Sequence, residues 1–284
     1  MKRIHLYKII SAGLLYLVFI FASSCTEIIE LELDSSDIRL VVDGVITTDT
    51  TSHFVRITTS SSYFLNEEPP AVSGALVQIQ SGEQSVTLTE TNPESGIYAT
   101  PSDFYGVKGI QYTLSINLAK PVGENTDYEA VTSMPTTEFS IDSIVLEYQE
   151  VWDFYLINLF AKDPPTTDFY KIDALRNGEI ITDTAYRSSV TDDRFFNGNN
   201  TNGLSVMFLR ADEVNPGDTI TLVLSSITKE YYEFFLELQA ESGSSNPLFS
   251  GPPANISSNI QQGGLGFFSA QSSVKESLVV KDLK

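Results

Sequence analysis

Residues 75–89 read ALVQIQSGEQSVTLT and combine two alternating segments with a glycine-containing connection. Apolar and polar side chains alternate in 75–80 and again in 85–89, which is the period of a half-buried β-strand. The connection, residues 81–84, contains Gly82, a residue suited to a tight turn. This stretch therefore predicts a β-hairpin.

Similar strand patterns lie on both sides of the hairpin. Short strands with turn residues between them, at about 8–12-residue spacing, indicate a β-sandwich. After a junction at residues 134–137, further apolar and β-branched segments predict a second sheet. The predicted strands are 38–47, 53–59, 97–100, 111–118, 139–148, 154–160, 169–175 and 219–226.

One helix is predicted near residues 228–242. Its apolar residues recur at spacings of three and four, so one face should pack on the second sheet. Thr228 is a suitable N-cap, and Glu230 and Glu233 suit the positive N-terminal end of a helix. The expected fold is mostly β, with two β-sandwich-like domains, the second carrying one packed helix.

The N-terminus has the three parts of a secretory signal peptide. Residues 1–8 include three basic residues, residues 9–21 are mostly apolar, and residues 22–24 are small. The apolar run is shorter than the roughly 20 residues that a transmembrane helix needs. We therefore expect residues 1–24 to be removed on export.

Cys25 follows these small residues and is the only cysteine of the chain. Small residues before a lone cysteine resemble the lipobox of bacterial lipoproteins, although Ala22 stands where that pattern usually has leucine. The resemblance implies lipidation of Cys25 and anchoring in a membrane. The alternative is a soluble secreted protein with an unpaired cysteine, in which no intramolecular disulfide could form.

The segment after the cysteine is acidic, and we interpret residues 25–36 as a tether. In some bacterial lineages acidic residues at this place resemble an export signal for the outer face of the outer membrane. A solvated linker is the alternative interpretation.

Charge excludes one class of partner. The first 24 residues hold three basic and no acidic residues, so the rest of the chain has 14 basic against 37 acidic residues and a formal charge of −23. A surface of this sign repels phosphate backbones. We therefore expect no nucleic-acid binding.

Few residues suit enzyme chemistry. After residue 24 the chain has one histidine, His53, and no free cysteine once Cys25 is lipidated, so a Cys–His pair is excluded. A zinc site of several His or Cys ligands is excluded as well. A Ser-His-Asp triad would need His53 as its base. Carboxylate chemistry stays open, because acidic residues are abundant.

Residues 191–200 read TDDRFFNGNN, a composition that resembles calcium loops because Asp and Asn oxygens lie beside a glycine. The spacing does not match an EF-hand. A purely structural loop, with Phe195 and Phe196 in the core, is the alternative, and we favour it.

Several spaced motifs resemble one family. The motifs are RLVVDG at 39–44, DDRFFNG at 192–198, EYYEF at 230–234, NPLFSGPPAN at 246–255 and GLGFF at 264–268. They are similar to the Bacteroidota lipoprotein family catalogued as domain of unknown function 4249, whose members are outer-membrane lipoproteins often encoded beside TonB-dependent receptors. In addition, the strand order within 37–133 is similar to transthyretin-like, carboxypeptidase-regulatory-like β-sandwiches.

The expected organisation is a signal peptide (1–24), an acidic tether (25–36), a β-sandwich (37–133) and a second β-rich domain (138–284). With the family resemblance, this predicts a surface-exposed outer-membrane lipoprotein that serves a TonB-dependent transporter as a binding or accessory module in nutrient uptake. Attachment to the periplasmic face is the alternative location. A carboxylate-dependent hydrolase of an extracellular polymer and a structural envelope or adhesion protein are the alternative functions.

We expect no enzyme activity, cofactor or metal. The partner surface is expected in the aromatic, turn-rich loops of the second domain, because aromatic anchors among adaptable polar residues are typical of binding hot spots. Its candidate residues are Asp192, Asp193, Phe195, Phe196, Phe249, Phe267 and Phe268.

Overall fold

The computed structural model describes residues 38–61, 68–242 and 256–281. Residues Asp37–Lys284 form one compact unit. The expected signal peptide, Cys25, the expected tether and Phe249 lie outside the described residues. The strands are β1 (Leu40–Thr47), β2 (Phe54–Thr59), β3 (Leu76–Ser81), β4 (Gln84–Glu90), β5 (Ile97–Ala99), β6 (Gln111–Val122), β7 (Asn125–Ser133), β8 (Ser140–Gln149), β9 (Phe154–Lys162), β10 (Phe169–Arg176), β11 (Glu179–Ile180), β12 (Ser189–Asp192), β13 (Leu204–Arg210), β14 (Thr219–Ile227) and β15 (Leu265–Val279). A 3₁₀ turn spans Ala211–Glu213, and helix α1 spans Lys229–Ser242.

Within these ranges the strands form two sheets. The larger has twelve strands in the order β11-β10-β14-β15-β1-β2-β5-β4-β3-β6-β7, with β12 paired to β10. The smaller has three strands in the order β13-β9-β8. The expected mostly β, sandwich-like fold with one packed helix is confirmed. The hairpin predicted at 75–89 is strands β3 and β4, with Gly82 in the left-handed region at φ 60°.

Side chains alternate between core and solvent along most strands, as in the pattern of β1 and β9. Two main hydrophobic cores result. The first core takes its buried residues from Leu40 to Met134, together with Ile260, Phe268 and Ala270. The second core takes them from Ile144 to Leu224, together with Val280.

The change from one core to the other falls at the predicted junction near residues 134–138. The division into two domains nevertheless stays a prediction, because Asp37–Lys284 form a single compact unit and strand β15 contributes to both cores. Its Phe268 and Ala270 lie in the first core, whereas Val274 and Leu278 pack against the second.

Helix α1 begins where the sequence predicts. The hydroxyl of Thr228 accepts a hydrogen bond from the Tyr231 amide at 3.2 Å, which is an N-cap contact. Tyr231, Phe234 and Phe235 on its buried face pack against Ile227 and Phe267 of the larger sheet. No helix in the described ranges is long and apolar enough to span a membrane.

Candidate functional site

The loop that follows β12 is fastened to the second core at its base. The backbone amides of Phe196 and Asn197 donate to the carbonyl of Asp193 at 2.8 and 2.7 Å. The amide of Gly198 donates to the Asp163 carboxylate at 3.1 Å. Asn200 then pairs with Lys162 at the end of β9. We call residues 192–200 the anchored loop.

The two phenylalanines of the anchored loop have opposite environments. Phe196 is half-buried and stacks on Tyr170, with ring centroids 6.4 Å apart. Phe195 is 91% exposed. Of this pair, only Phe195 is free to contact a partner, and the expectation that Phe195 packs in the core is wrong.

The Asp192 side chain forms an ion pair with Arg194 within the loop. Its carboxylate accepts hydrogen bonds from the Arg194 side chain, with Nε 2.7 Å from Oδ1 and 2.9 Å from Oδ2. These hydrogen bonds lower the pKa of Asp192. The side chain of Arg194 is mostly exposed, so the pair presents a neutralised surface beside Phe195.

Asp193 lies beneath the loop in a group of three buried aspartates. The carboxylate oxygens of Asp163, Asp168 and Asp193 lie within 4.8 Å of one another. Burial raises the pKa of Asp163, and the charges of Asp193 and Asp168 add to this rise, whereas hydrogen bonds from Tyr170 and Gly198 oppose it. These three carboxylates are the residues that could hold a cation in the described part of the chain.

Hydrogen-bond donors already occupy much of this aspartate group. The Tyr170 hydroxyl donates to Asp163 at 2.7 Å, and the Asp168 amide donates to Asp193 at 2.9 Å. Asp168 also accepts from the hydroxyls of Thr137 and Thr166. Calcium takes six to eight oxygen ligands, and these three carboxylates already accept hydrogen bonds from the protein. The aspartate group is therefore better explained as a hydrogen-bonded cluster that holds the loop than as a calcium site.

Two candidate residues on β15 are core residues, and their prediction as partner contacts is wrong. Phe268 is 0% exposed in the first core, and Phe267 is 6% exposed under helix α1. The GLGFF motif was expected to lie in a loop, but β15 begins at Leu265 and both of its faces are covered here. Phe249 lies outside the described residues.

His53 is fixed by the backbone. Its Nδ1 accepts a hydrogen bond from the Thr47 amide at 3.3 Å, and its Nε2 lies 3.1 Å from the Asp49 carbonyl. The ring is buried and makes an edge contact with Phe104. Both ring nitrogens are engaged, and among the described residues this imidazole has neither a serine nor a carboxylate side chain as a hydrogen-bond partner.

A set of exposed aromatic residues was missed by the sequence analysis. Trp152, in the β8–β9 turn, is 73% exposed, and Phe208 on β13 is 67% exposed. Both lie near Phe154 of β9, with Trp152–Phe154 and Phe154–Phe208 centroid distances of 6.2 and 5.9 Å. The apolar run of residues 154–160 predicts a strand, but it does not indicate which face of that strand is exposed to solvent.

In a comparison with protein families, a family described as Domain of unknown function (DUF4249) matches residues 26–277. Comparison with curated proteins finds no match.

Proposed function

The chain belongs to the DUF4249 family, and from this premise we propose that it is an outer-membrane lipoprotein, anchored at the cell surface through Cys25, that binds a TonB-dependent transporter as an accessory module in nutrient uptake. The observation that carries the binding role is Phe195, which stands 91% exposed on the anchored loop.

An exposed phenylalanine is a stronger binding element when its backbone is held in place. Ordering a mobile loop at an interface costs free energy that a pre-organised loop avoids. The base of the anchored loop is held by Asp193, by the Gly198–Asp163 hydrogen bond and by the packing of Phe196 on Tyr170. Binding residues are commonly presented in this way, on loops held by a rigid framework.

The anchor rests on the sequence. Small residues precede Cys25, and the family match begins at residue 26, the position after this cysteine. A diacylglyceryl group alone supplies two acyl chains, which is enough for stable membrane attachment.

The carboxylate-dependent hydrolase is the second candidate, and the aspartate group is the observation that favours it. Like-charged carboxylates that share a site, one with a raised pKa, can divide acid and base roles. Against this, Asp163, Asp168 and Asp193 are all buried, whereas a polymer-cleaving site needs carboxylates that the polymer can contact. Hydrolytic activity that is lost in Asp163→Asn would decide for the enzyme.

The test of the binding role is co-purification from native outer membranes. We expect Phe195→Ala to lower recovery of a β-barrel transporter with the protein by at least roughly fivefold, since hot-spot aromatic residues contribute about 1 kcal/mol or more. Tyr105→Ala is the matched control, because Tyr105 is also exposed but lies beside the first core.

In the same fractionation, the Cys25→Ser variant should be absent from the membrane fraction or should retain its signal peptide. The proposal fails if Phe195→Ala and the wild type recover the same transporter equally, or if no transporter is recovered with either. A processed Cys25→Ser variant that stays in the membrane fraction would contradict the lipid anchor.

A further inference from the structure

The solvent-facing side of the three-stranded sheet carries aromatic and aliphatic residues. The solvent-facing side of an antiparallel sheet usually carries polar residues. Across the strands, Phe154 pairs with Arg210 on β13, and Leu156 pairs with Phe208. Trp152 extends the same apolar area at the β8–β9 turn. We call Trp152, Phe154, Leu156 and Phe208 the outer aromatic surface.

Neighbouring rings of this surface are tilted against one another. The Trp152 and Phe154 planes meet at 74°, and those of Phe154 and Phe208 meet at 53°. Such angles produce a ridged apolar surface. Because neighbouring rings are tilted by 74° and 53°, they do not form one flat face of the kind on which a saccharide stacks. The arrangement therefore favours a protein partner with an apolar cleft.

A chain of hydrogen bonds fixes polar groups beside the rings. Ser205 donates to Asn158 at 2.6 Å, and the Asn158 amide donates to Glu147 at 2.9 Å. The Gln149 amide donates to the other oxygen of Glu147 at 2.9 Å. The Glu147 carboxylate is thus held in a defined position at the border of the outer aromatic surface.

The charge of this border is negative. Glu147 and Glu150 are exposed and form no ion pair in the described ranges. The nearby cations are neutralised within the protein, since Arg210 pairs with Asp212 and Arg187 pairs with Glu213. The outer aromatic surface is therefore an apolar patch that has, at one edge, two carboxylates without an ion-pair partner among the described residues.

We propose that the outer aromatic surface docks a protein whose apolar cleft is bordered by lysine or arginine residues. The cleft covers Trp152, Phe154 and Phe208, and its cations meet Glu147 and Glu150. Complementary charge around an apolar centre is typical of specific protein interfaces. A second copy of this chain does not fit, because its own Glu147 and Glu150 would add like charge to the interface. This docking role is independent of the transporter role of Phe195.

Trp152 supplies a local probe, because it is the only tryptophan of the chain. The experiment uses the mature chain with Cys25→Ser, so that neither lipid nor detergent competes for apolar probes. A helical leucine–lysine peptide without tryptophan supplies the chemistry of the proposed partner, which is an apolar surface bordered by lysines. A leucine–glutamate peptide of equal apolar content supplies the opposite charge. We expect only the basic peptide to shift Trp152 emission to the blue and to protect it from acrylamide.

Charge variants locate the interaction. Glu147→Lys with Glu150→Lys should weaken binding of the basic peptide roughly tenfold, since several charge contacts become repulsive. Glu147→Gln with Glu150→Gln keeps hydrogen-bond acceptors at both positions and should give a smaller loss in the same direction. The matched control, Glu83→Lys with Glu124→Lys, changes the net charge equally beside the first core and should leave the affinity within about twofold.

Three results would overturn the docking proposal. Equal responses to the two peptides would show that charge has no part in the binding. A blue shift with maltohexaose and none with the basic peptide would assign the surface to a glycan. A blue shift that grows with protein concentration, without any peptide, would assign it to self-association. Each of these results is obtained from Trp152 fluorescence, whereas the transporter proposal is tested separately with Phe195→Ala. Failure of the docking proposal therefore leaves the transporter proposal unchanged.

Discussion

At the scale of single residues, His53 shows how a buried imidazole supports a turn. It joins the end of β1 to the start of β2, because its ring bonds the Thr47 amide and faces the Asp49 carbonyl. Nδ1 can accept from Thr47 only when it carries no proton. Burial also lowers the pKa of His53. The folded protein therefore holds the neutral ring.

The pH dependence of stability follows from this. Because the folded pKa lies below the unfolded value of about 6.5, the unfolded state binds the proton first as pH falls. The contribution of His53 is fully present above about pH 6.5 and is lost as pH falls toward the folded pKa. We expect His53→Asn to be less stable by about 1–2 kcal/mol at pH 8.

The measurement is urea unfolding of both proteins at several pH values between about 8 and 5.5. The stability gap between them should narrow as pH falls, since asparagine does not titrate and the carboxylates common to both proteins cancel in the difference. A gap that is constant or widens with acidity would contradict the neutral, buried ring.

The sequence indicated which stretch holds candidate site residues more readily than it indicated which of their side chains are exposed. The TDDRFFNGNN stretch was singled out from its composition, and it does hold both an exposed aromatic residue and a buried carboxylate. Which phenylalanine faces water depends on Asp163, which follows β9, and on Tyr170 of β10, and the sequence of the loop itself gives no signal of either contact. Phe267 and Phe268 were misplaced for a related reason, because glycines in GLGFF indicated a loop.

At the scale of elements, strand β15 depends on one glycine at its start. Gly266 has φ 89°, and a Cβ atom there would lie 2.0 Å from the carbonyl oxygen of Val42. Strand β15 runs parallel to β1 from this point, with Gly266 opposite Val42. The close approach of the two backbones therefore excludes any side chain.

We expect Gly266→Ala to lower the free energy of unfolding by more than about 2 kcal/mol, because steric overlap adds to the strain of a positive φ. Gly217→Ala is the matched control: its φ is 93°, and nothing lies within 4 Å of an added Cβ. It should cost only about 1 kcal/mol. Equal losses for both variants in urea unfolding would show that the contact with Val42 does not matter.

Five of the described strands, β7, β11, β12, β13 and β15, were missed by the sequence analysis, and the three longest of them were missed for physical reasons. In β13 a bulge between Ser205 and Met207 interrupts the alternation of apolar and polar residues. In β7, Asp127 and Glu129 disfavour a strand assignment. In β15 a serine-rich segment is buried on both faces, so no alternation exists. The strands found in advance, such as β3, β6 and β9, have one covered face or a continuous apolar run.

At the scale of the whole molecule, the two cores are joined by β15. This strand pairs with β1 beside the first core and with β14 beside the second. The length of β15 could not be inferred from its serine-rich sequence. The sequence therefore supports a division near residues 134–138 but does not show that β15 connects the two cores. Whether the two cores unfold together depends on how firmly this strand couples them.

A buried substitution far from Trp152 can measure that coupling. Leu114 is fully buried in the first core, and Leu114→Ala should cost about 2–5 kcal/mol. Trp152 joins β8 and β9, whose buried residues belong to the second core. If the compact unit unfolds as one, Leu114→Ala will move the urea midpoint of Trp152 fluorescence as far as that of far-ultraviolet circular dichroism.

The reciprocal variant is Ile220→Ala, which removes a fully buried side chain from the second core and should move both midpoints in the same way. We expect this cooperative outcome, because separating the cores would strip β15 from either β1 or β14 and leave its buried polar residues without their pairing partners. A Trp152 midpoint that stays in place in Leu114→Ala, while circular dichroism resolves an earlier transition, would show instead that the chain folds as the two domains the sequence predicts.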